Sequence, residues 1–557
     1  MTNKAQFFRQ FPGNLAQPEW WRGCVLYQIY PRSYQDSSGD GVGDLNGITQ
    51  RLPYIAALGV DAIWLSPFFK SPMKDFGYDV SDYCAVDPLF GTLDDFISML
   101  ERAHQLGLRV VIDQVLNHTA DSHPWFIESR ASKNSLKADW YVWADAREDG
   151  TPPNNWLSIF GGSGWQWDTS REQYYLHNFL ASQPDLNVHN QEVQQALLDV
   201  MRFWLALGVD GFRFDTVNFY MHDPLLRDNP ARGRPQGADG AVNGVNPYAW
   251  QWHQYDKTQP ENLNFLRKIR AMLNEYPGIT TVGEVGDDDS LGVMAEYTNG
   301  GDKLHTAYSF DLLSTECSAV HFHQVLTRFQ QRVTDGWACW AISNHDVARV
   351  ATRWGGDHVT PAMVKLFASM QLSLRGSPCI YQGDELGLPE ASLEFNQLQD
   401  PYGITMWPAF KGRDGCRTPM PWSILAPQAG FSSSDKTWLP LAEPHRALAT
   451  DVQQQLCDSV LAHYQMFLAW RKTEPVLVRG DITLLSADEQ ILAFVRQLDG
   501  RQLLCAFNFS ASAAHYHCPE KIRELLASDY PGCNTASITG NRLYLAAWGV
   551  CFAWIHH

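Results

Sequence analysis

Three carboxylates stand where strand-like apolar runs stop. Asp215 closes Val209-Asp-Gly-Phe-Arg-Phe-Asp, Glu284 closes Thr281-Val-Gly-Glu, and Asp346 closes Ile342-Ser-Asn-His-Asp. A short apolar run reads as a strand buried in a parallel sheet. A polar residue just past its C-terminal end emerges on the face where closed parallel barrels keep their chemistry. Asp113 and His118, in Asp113-Gln-Val-Leu-Asn-His118, and His345 beside Asp346 belong to the same set. Arg213 shares a strand face with Asp215, because alternate strand residues point the same way. Its charge is expected to keep Asp215 ionised, as a nucleophile requires. Glu284 follows Gly283 at the end of an apolar run, where partial burial is expected to favour the protonated form that a general acid needs. Two carboxyl groups in opposed environments are what cleavage of a glycosidic bond uses: one attacks carbon and the other protonates the leaving oxygen.

Eight strand-like runs position these residues: Val25 to Tyr30, Ala62 to Leu65, Arg109 to Asp113, Val209 to Asp215, Thr281 to Val285, Thr306 to Phe310, Cys339 to Ser343 and Cys379 to Tyr381. Segments of helical period separate them. After Asn190, for instance, Val193, Leu197, Val200, Trp204 and Leu207 recur at spacings of three and four until Gly208. Gly59, Gly107 and Gly208 each precede a strand, as helix C-terminal glycines do. The expected fold is α/β, a (β/α)8 TIM barrel formed by residues 1–117 and 184–475. Residues 118–183 carry six tryptophans and Pro- and Gly-rich stretches without a clear helical period, and read as a small irregular domain inserted after the third strand. A second excursion, about His222 to Trp252, leaves the barrel just after Asp215 and is expected to roof the pocket. Residues 476–557 show short alternating runs and read as an antiparallel β domain.

The composition excludes several function classes. Lys and Arg total 43 against 61 Asp and Glu, a formal charge of −18, which argues against nucleic acid or an anionic membrane surface and leaves a neutral small molecule. The opening residues show no secretory leader and no later run suits a membrane span, so a soluble cytoplasmic protein, monomer or homodimer, is expected. The 11 cysteines contain no Cys-x-x-Cys pair, in keeping with a reducing compartment.

The stretches Asp113-Gln-Val-Leu-Asn-His118, Gly211-Phe-Arg-Phe-Asp215, Glu284 and Ser343-Asn-His-Asp346 resemble, in order, the four signature regions of glycoside hydrolase family 13, the α-amylase family. Gln183-Pro-Asp-Leu-Asn187 resembles the further signature of its oligo-1,6-glucosidase branch. With Trp21-Arg-Gly-Cys-Val-Leu-Tyr-Gln-Ile-Tyr-Pro and Gly412-Arg-Asp-Gly-Cys-Arg-Thr-Pro-Met-Pro-Trp422, the likeness to bacterial α-glucosidases of that branch spans nearly the whole chain.

The resemblance implies a retaining double displacement with Asp215 as nucleophile, Glu284 as acid and then base, and Asp346 holding two sugar hydroxyls. It also implies that His118 and His345 bind the same glucose. Asp75-Phe-Gly-Tyr78 resembles the motif that closes the pocket in exo-acting members, Tyr78 stacking beneath the ring and Asp75 pairing with Arg413 or Arg417. Phe160 is read either as pocket rim or as core. Thr216 stands where members preferring α-1,6 bonds tend to carry Val, which points to α-1,4 substrates such as maltose. Within the family, an oligo-1,6-glucosidase, a sucrose-acting relative or a transglucosylase are the alternatives. Outside enzymes, some proteins of this fold are non-catalytic subunits of amino-acid transporters, but those lose the acids that are intact here.

Asp36-Ser-Ser-Gly-Asp-Gly-Val-Gly-Asp44 sets Asp36, Ser38, Asp40 and Asp44 at alternating positions, with the Val42 carbonyl between, like the first part of an EF-hand loop lacking its final Glu. The branch resemblance implies one structural Ca2+ or Mg2+ there and no organic cofactor.

Overall fold

A computed structural model describes residues 17–233, 238–239, 242–518, 522–525 and 536–555. The opening residues read above for a leader, part of the 222–252 excursion, parts of the last 40 or so residues and Cys533 lie outside this description. Eight parallel strands form the core: β1 (Leu26–Ile29), β2 (Ala62–Leu65), β3 (Arg109–Gln114), β4 (Gly211–Phe214), β5 (Thr280–Val285), β6 (Thr306–Ser309), β7 (Cys339–Ala341) and β8 (Ser377–Tyr381). Their order is β6-β5-β4-β3-β2-β1-β8-β7, and a parallel bridge between Ala307 and Ala338 brings the two ends together. The eight expected runs are these eight strands. They were legible because every strand residue is buried, which writes continuous apolar runs into the sequence.

The helices end where their caps dictate. Asn190 accepts the Glu192 N–H to start the helix Gln191–Leu207, and Gly208 ends it at φ +106°. Gly59 and Gly107, at φ +98° and +80°, serve the preceding turns of the barrel in the same way. At Gly283 a Cβ would lie 2.5 Å from the Leu304 Cδ1 and 3.1 Å from the Val217 Cγ1, so a larger residue there would push these side chains aside next to Glu284.

The segment 118–183 departs from the irregular expectation. It holds a helix, Pro124–Ala131, and a three-stranded antiparallel sheet in the order Trp143–Ala144, Gln173–Leu176, Trp165–Asp168. Strands of two and four residues are too short for a period to show in sequence. Aromatic packing holds them: Phe126 stacks on Trp143 at 5.7 Å and meets Tyr175 edge-on at 5.1 Å.

Beyond Asp481 a five-stranded antiparallel sheet faces a three-stranded one. In the larger sheet, Leu492, Phe494, Leu503 and Phe507 turn toward the barrel core, while Ala493, Val495, Leu504 and Ala506 turn toward the smaller sheet. Burial on both faces fastens this end of the chain to the barrel helices, for example through Trp470 and Phe552 at 4.9 Å.

Candidate active site

A cavity of about 460 Å³ opens at the C-terminal ends of the barrel strands. Asp215 directly follows β4, Glu284 lies within β5, and Asp346 sits in the loop after β7; all three line the cavity. Asp75, Tyr78, His118, Phe160, Thr216, His345 and Arg413 line it too. Arg213 and Arg417 stand behind the wall, 0% and 1% exposed, and act through the acids they touch. Every substrate-side residue singled out from the sequence is therefore brought together here.

Arg213 behaves differently from expectation. Its guanidinium donates to Asp113 at 2.8 and 3.0 Å, to Asp215 at 2.8 Å, to Glu284 and to the Tyr308 hydroxyl at 2.8 Å. One positive charge is shared among three carboxylates, so it cannot single out Asp215 as the ionised one. Burial pushes the Asp215 carboxyl well above the usual range. Arg213 opposes, but Glu284, which is hydrogen-bonded to Asp215, and Asp113 push it further up. Burial likewise raises Asp113 to about 6 against the pull of Arg213. One guanidinium thus does not offset burial for both Asp113 and Asp215.

Thr216 links the pair. It adopts φ 42°, ψ 46°, a left-handed conformation rare for a β-branched residue. That turn aims its N–H at Glu284 (3.1 Å) and its hydroxyl at Asp215 (3.4 Å). Backbone strain next to the reacting groups is stored where it orients them.

A second cluster of charged groups gathers around Arg413 and Arg417. Arg413 Nη2 donates to Asp75 at 2.9 Å, and its Nη1 reaches Asp346 at 3.3 Å. Arg417 holds Asp346 at 3.0 Å and the His345 carbonyl at 2.7 Å. The choice left open by the sequence is settled: Arg413 pairs with Asp75, and Arg417 with Asp346. Phe160 lies under the Arg413 guanidinium at 5.0 Å and packs on Tyr402, so it is both wall and core. Burial alone would raise Asp346, yet His345, Arg413 and Arg417 pull it well below the carboxylate range. Burial keeps His345 neutral, with Asp346 opposing and the arginines reinforcing; the two bonded arginines therefore carry the effect on Asp346.

Tyr78 stacks on His345 at 5.3 Å and 7°, its hydroxyl within 2.5 Å of the ring nitrogen Nε2 and 3.2 Å from Asp113. His118 lies 3.1 Å from the Tyr78 carbonyl. Sequence reasoning did not assign Tyr308, although it ends a strand as the acids do. It also missed Tyr248, His253 and Lys257, which line the mouth. Tyr248 falls in the excursion after Asp215, whose described residues Arg232, Gly244, Tyr248, Ala249 and Gln251 line the cavity, whereas His253 and Lys257 lie just beyond it and carried no signal.

The loop from Asp36 to Asp44 lies away from this cavity. One Asp36 oxygen accepts the N–H groups of Ser38 (2.9 Å) and Gly39 (2.7 Å), and the other those of Gly41 (2.8 Å) and the Ser432 hydroxyl (2.5 Å). Asp40 accepts the Val42 N–H at 2.9 Å, and Asp44 caps the helix Leu45–Leu58 through the Gly47 N–H. Burial raises Asp36, but these hydrogen bonds outweigh it and leave its carboxyl low. The donors are all oxygen, which suits Ca2+ or Mg2+ in type. Among the described residues, however, no three acidic, imidazole or thiol groups converge on one point.

Residues 28–480 match the alpha-amylase catalytic domain family. A probable alpha-glucosidase of Rhizobium meliloti (strain 1021) is 55% identical over 546 residues, covering 97% of this chain and 98% of the relative. An oligo-1,6-glucosidase of Heyndrickxia coagulans is 35% identical over 93% of this chain and 97% of its own length. The crystal structure of an alpha-glucosyl transfer enzyme, XgtA, superposes with a TM-score of 0.94 at 56% identity, covering 96% of this chain and 99% of that one.

Proposed function

Because the chain belongs to the alpha-amylase family, we propose that it is a retaining, exo-acting α-glucosidase that removes glucose from the non-reducing end of short α-1,4-linked glucosides such as maltose. The observation that supports this most directly is that Asp215 and Glu284 share one cavity with the Asp75–Arg413 ion pair, formed at 2.9 Å, which is read here as closing the glucose pocket. In the first step the Asp215 carboxylate attacks the anomeric carbon as the glycosidic C–O bond breaks, and Glu284 gives its proton to the leaving oxygen. In the second, the Glu284 carboxylate takes a proton from water as the water oxygen attacks the same carbon and frees Asp215. Two inversions return the α-anomer. A sugar or alcohol hydroxyl in place of water gives transfer, and the likeness to an alpha-glucosyl transfer enzyme supports that outcome as well.

Thr216 supports the lean toward α-1,4 bonds. One methyl or hydroxyl at the aglycone side shifts discrimination by ~1 to 3 kcal/mol, a preference and not an exclusion. Initial rates on maltose, isomaltose, sucrose and maltotriose, with product analysis, test the assignment; internal cleavage of maltotriose or longer chains would refute the closed pocket. Asp215→Ala should abolish release of p-nitrophenol from its α-glucoside, and retained turnover would refute the nucleophile.

The oxygen-only loop of Asp36, Ser38, Asp40, the Val42 carbonyl and Asp44 is proposed to hold one Ca2+ or Mg2+ in a structural role, its carboxylates turning from N–H groups to the ion. A chelator should then lower the unfolding midpoint and Ca2+ or Mg2+ restore it; an unchanged midpoint together with metal-free protein by elemental analysis would refute the site. The cysteine pattern, 11 residues without a Cys-x-x-Cys pair, supports a cytoplasmic placement. Among the described residues no helix is long and apolar enough to cross a membrane.

A further inference from the structure

Arg413 carries the clamp, but a free arginine side chain has many rotamers, and that freedom opposes any single pose. The structure supplies a device that selects the pose. Asp400 accepts the backbone N–H of Arg413 at 2.8 Å and its Nε at 3.1 Å on one oxygen, and its Nη2 at 2.7 Å on the other. Root and plane of the side chain are fixed by one carboxylate in a two-pronged pairing. What remains of the guanidinium faces Asp75 and Asp346. Asp400 is 0% exposed and does not line the cavity.

Asp400 is itself held. Asp414 accepts the N–H groups of Gln399 and Asp400 at 2.6 and 2.8 Å. The chain segments around Gly403 and Gly412 meet backbone to backbone: a Cβ on Gly412, at φ +82°, would stand 2.6 Å from the Gly403 Cα and 2.7 Å from the Asp400 carboxylate. Glycine at 412 is what lets the carboxylate reach the adjacent arginine. We propose that Asp400 is a positioning residue for substrate recognition, orienting Arg413 so that its guanidinium bridges Asp75 and Asp346 at the closed end of the pocket. The proposal rests on reading Arg413 as part of the glucose clamp.

A double-mutant cycle on maltose hydrolysis separates positioning from general structure. Asp400→Asn keeps the size of the side chain and removes its charge. It should raise KM by ~10- to 100-fold and lower kcat much less, because a misplaced clamp weakens the hold on the bound sugar. Arg413→Ala should do at least as much. The double variant should match Arg413→Ala alone, since Asp400 has nothing left to orient. Losses that multiply in the double variant would overturn the proposal and leave the clamp standing. An unchanged KM in Arg413→Ala would overturn both. If Asp400→Asn fails to fold because it takes one counter-charge from a buried arginine, the double variant lacks that arginine, and its comparison with Arg413→Ala decides the matter by itself: equal kcat/KM supports positioning, and a further loss refutes it.

Discussion

The two ends of the pocket contain the same kinds of residue in different proportions. At the reacting end one arginine, Arg213, faces Asp113, Asp215 and Glu284. At the holding end two arginines, Arg413 and Arg417, face Asp75, Asp346 and Asp400. The consequence is opposite charge regulation in equally buried surroundings. With too little positive charge to go round, burial wins at the reacting end and raises Asp113 and Asp215. At the holding end the second arginine tips the balance: burial is outweighed and Asp346 and Asp400 are held low. Asp75, which shares Arg413 and faces Asp79, stays raised by burial. The reacting end shares one guanidinium among three acids, whereas Asp346, the acid read as holding hydroxyls, keeps its charge.

After loss of the nucleophile, the next largest predicted effect is on proton donation. Glu284→Gln removes the proton donor and should cut kcat on maltose by ~10²- to 10⁴-fold. An aryl α-glucoside whose leaving group is already acidic needs less protonation, so its loss should be smaller by about tenfold or more. Arg413→Ala should show the reverse signature, a KM effect of similar size on both substrates. Steady-state kinetics on the two substrate types checks this; equal kcat losses on both for Glu284→Gln would mean that the reacting end does not work as a proton donor.

A smaller effect is expected from Thr216→Val. The backbone N–H that holds Glu284 survives the change, and both residues are β-branched, so the strained φ of 42° is no worse tolerated. Only the hydroxyl contact to Asp215 and the shape beside the aglycone change. The ratio of isomaltose to maltose kcat/KM should rise by about tenfold. An unmoved ratio would place bond preference elsewhere, in the Tyr248 to Lys257 wall that sequence reasoning missed.

What could be read in advance follows from the range of the forces involved. The barrel strands and their caps are local: full burial writes apolar runs, and Asn190, Gly59 and Gly208 mark helix ends within a few residues. The acids could be found because they sit at those strand ends. The pKa logic could not, since it depends on how many carboxylates converge on one guanidinium, and Asp113 lies 100 residues from Arg213 in the chain. The Arg413–Asp75 pair spans 338 residues, which is why the sequence favoured Arg413 without excluding Arg417. Asp400 carried no signal of its own, because an aspartate before a proline reads as an ordinary helix cap, a role it also fills through the Tyr402 N–H.

The smallest effect is on stability, and its sign distinguishes the two ends. A carboxyl raised in the folded state contributes stability that is full below its unfolded value of ~3.9 and is lost as pH rises through the folded value. For Asp113 that loss runs from about 4 up through about 6. Asp346 and Asp400, held low, contribute above ~3.9 and lose their contribution as pH falls toward their lowered values. Asp113→Asn preserves volume and removes one titrating group from the reacting end. Relative to the unaltered protein it should therefore be more stable at pH 8 than at pH 5, by on the order of 2 kcal/mol, or a shift in the unfolding midpoint difference of about 1 to 3 °C. Scanning calorimetry of both proteins at the two pH values measures this. A difference that does not change with pH would show Asp113 to be unraised, and the contrast with Asp346 and Asp400 would then rest on Asp215 alone.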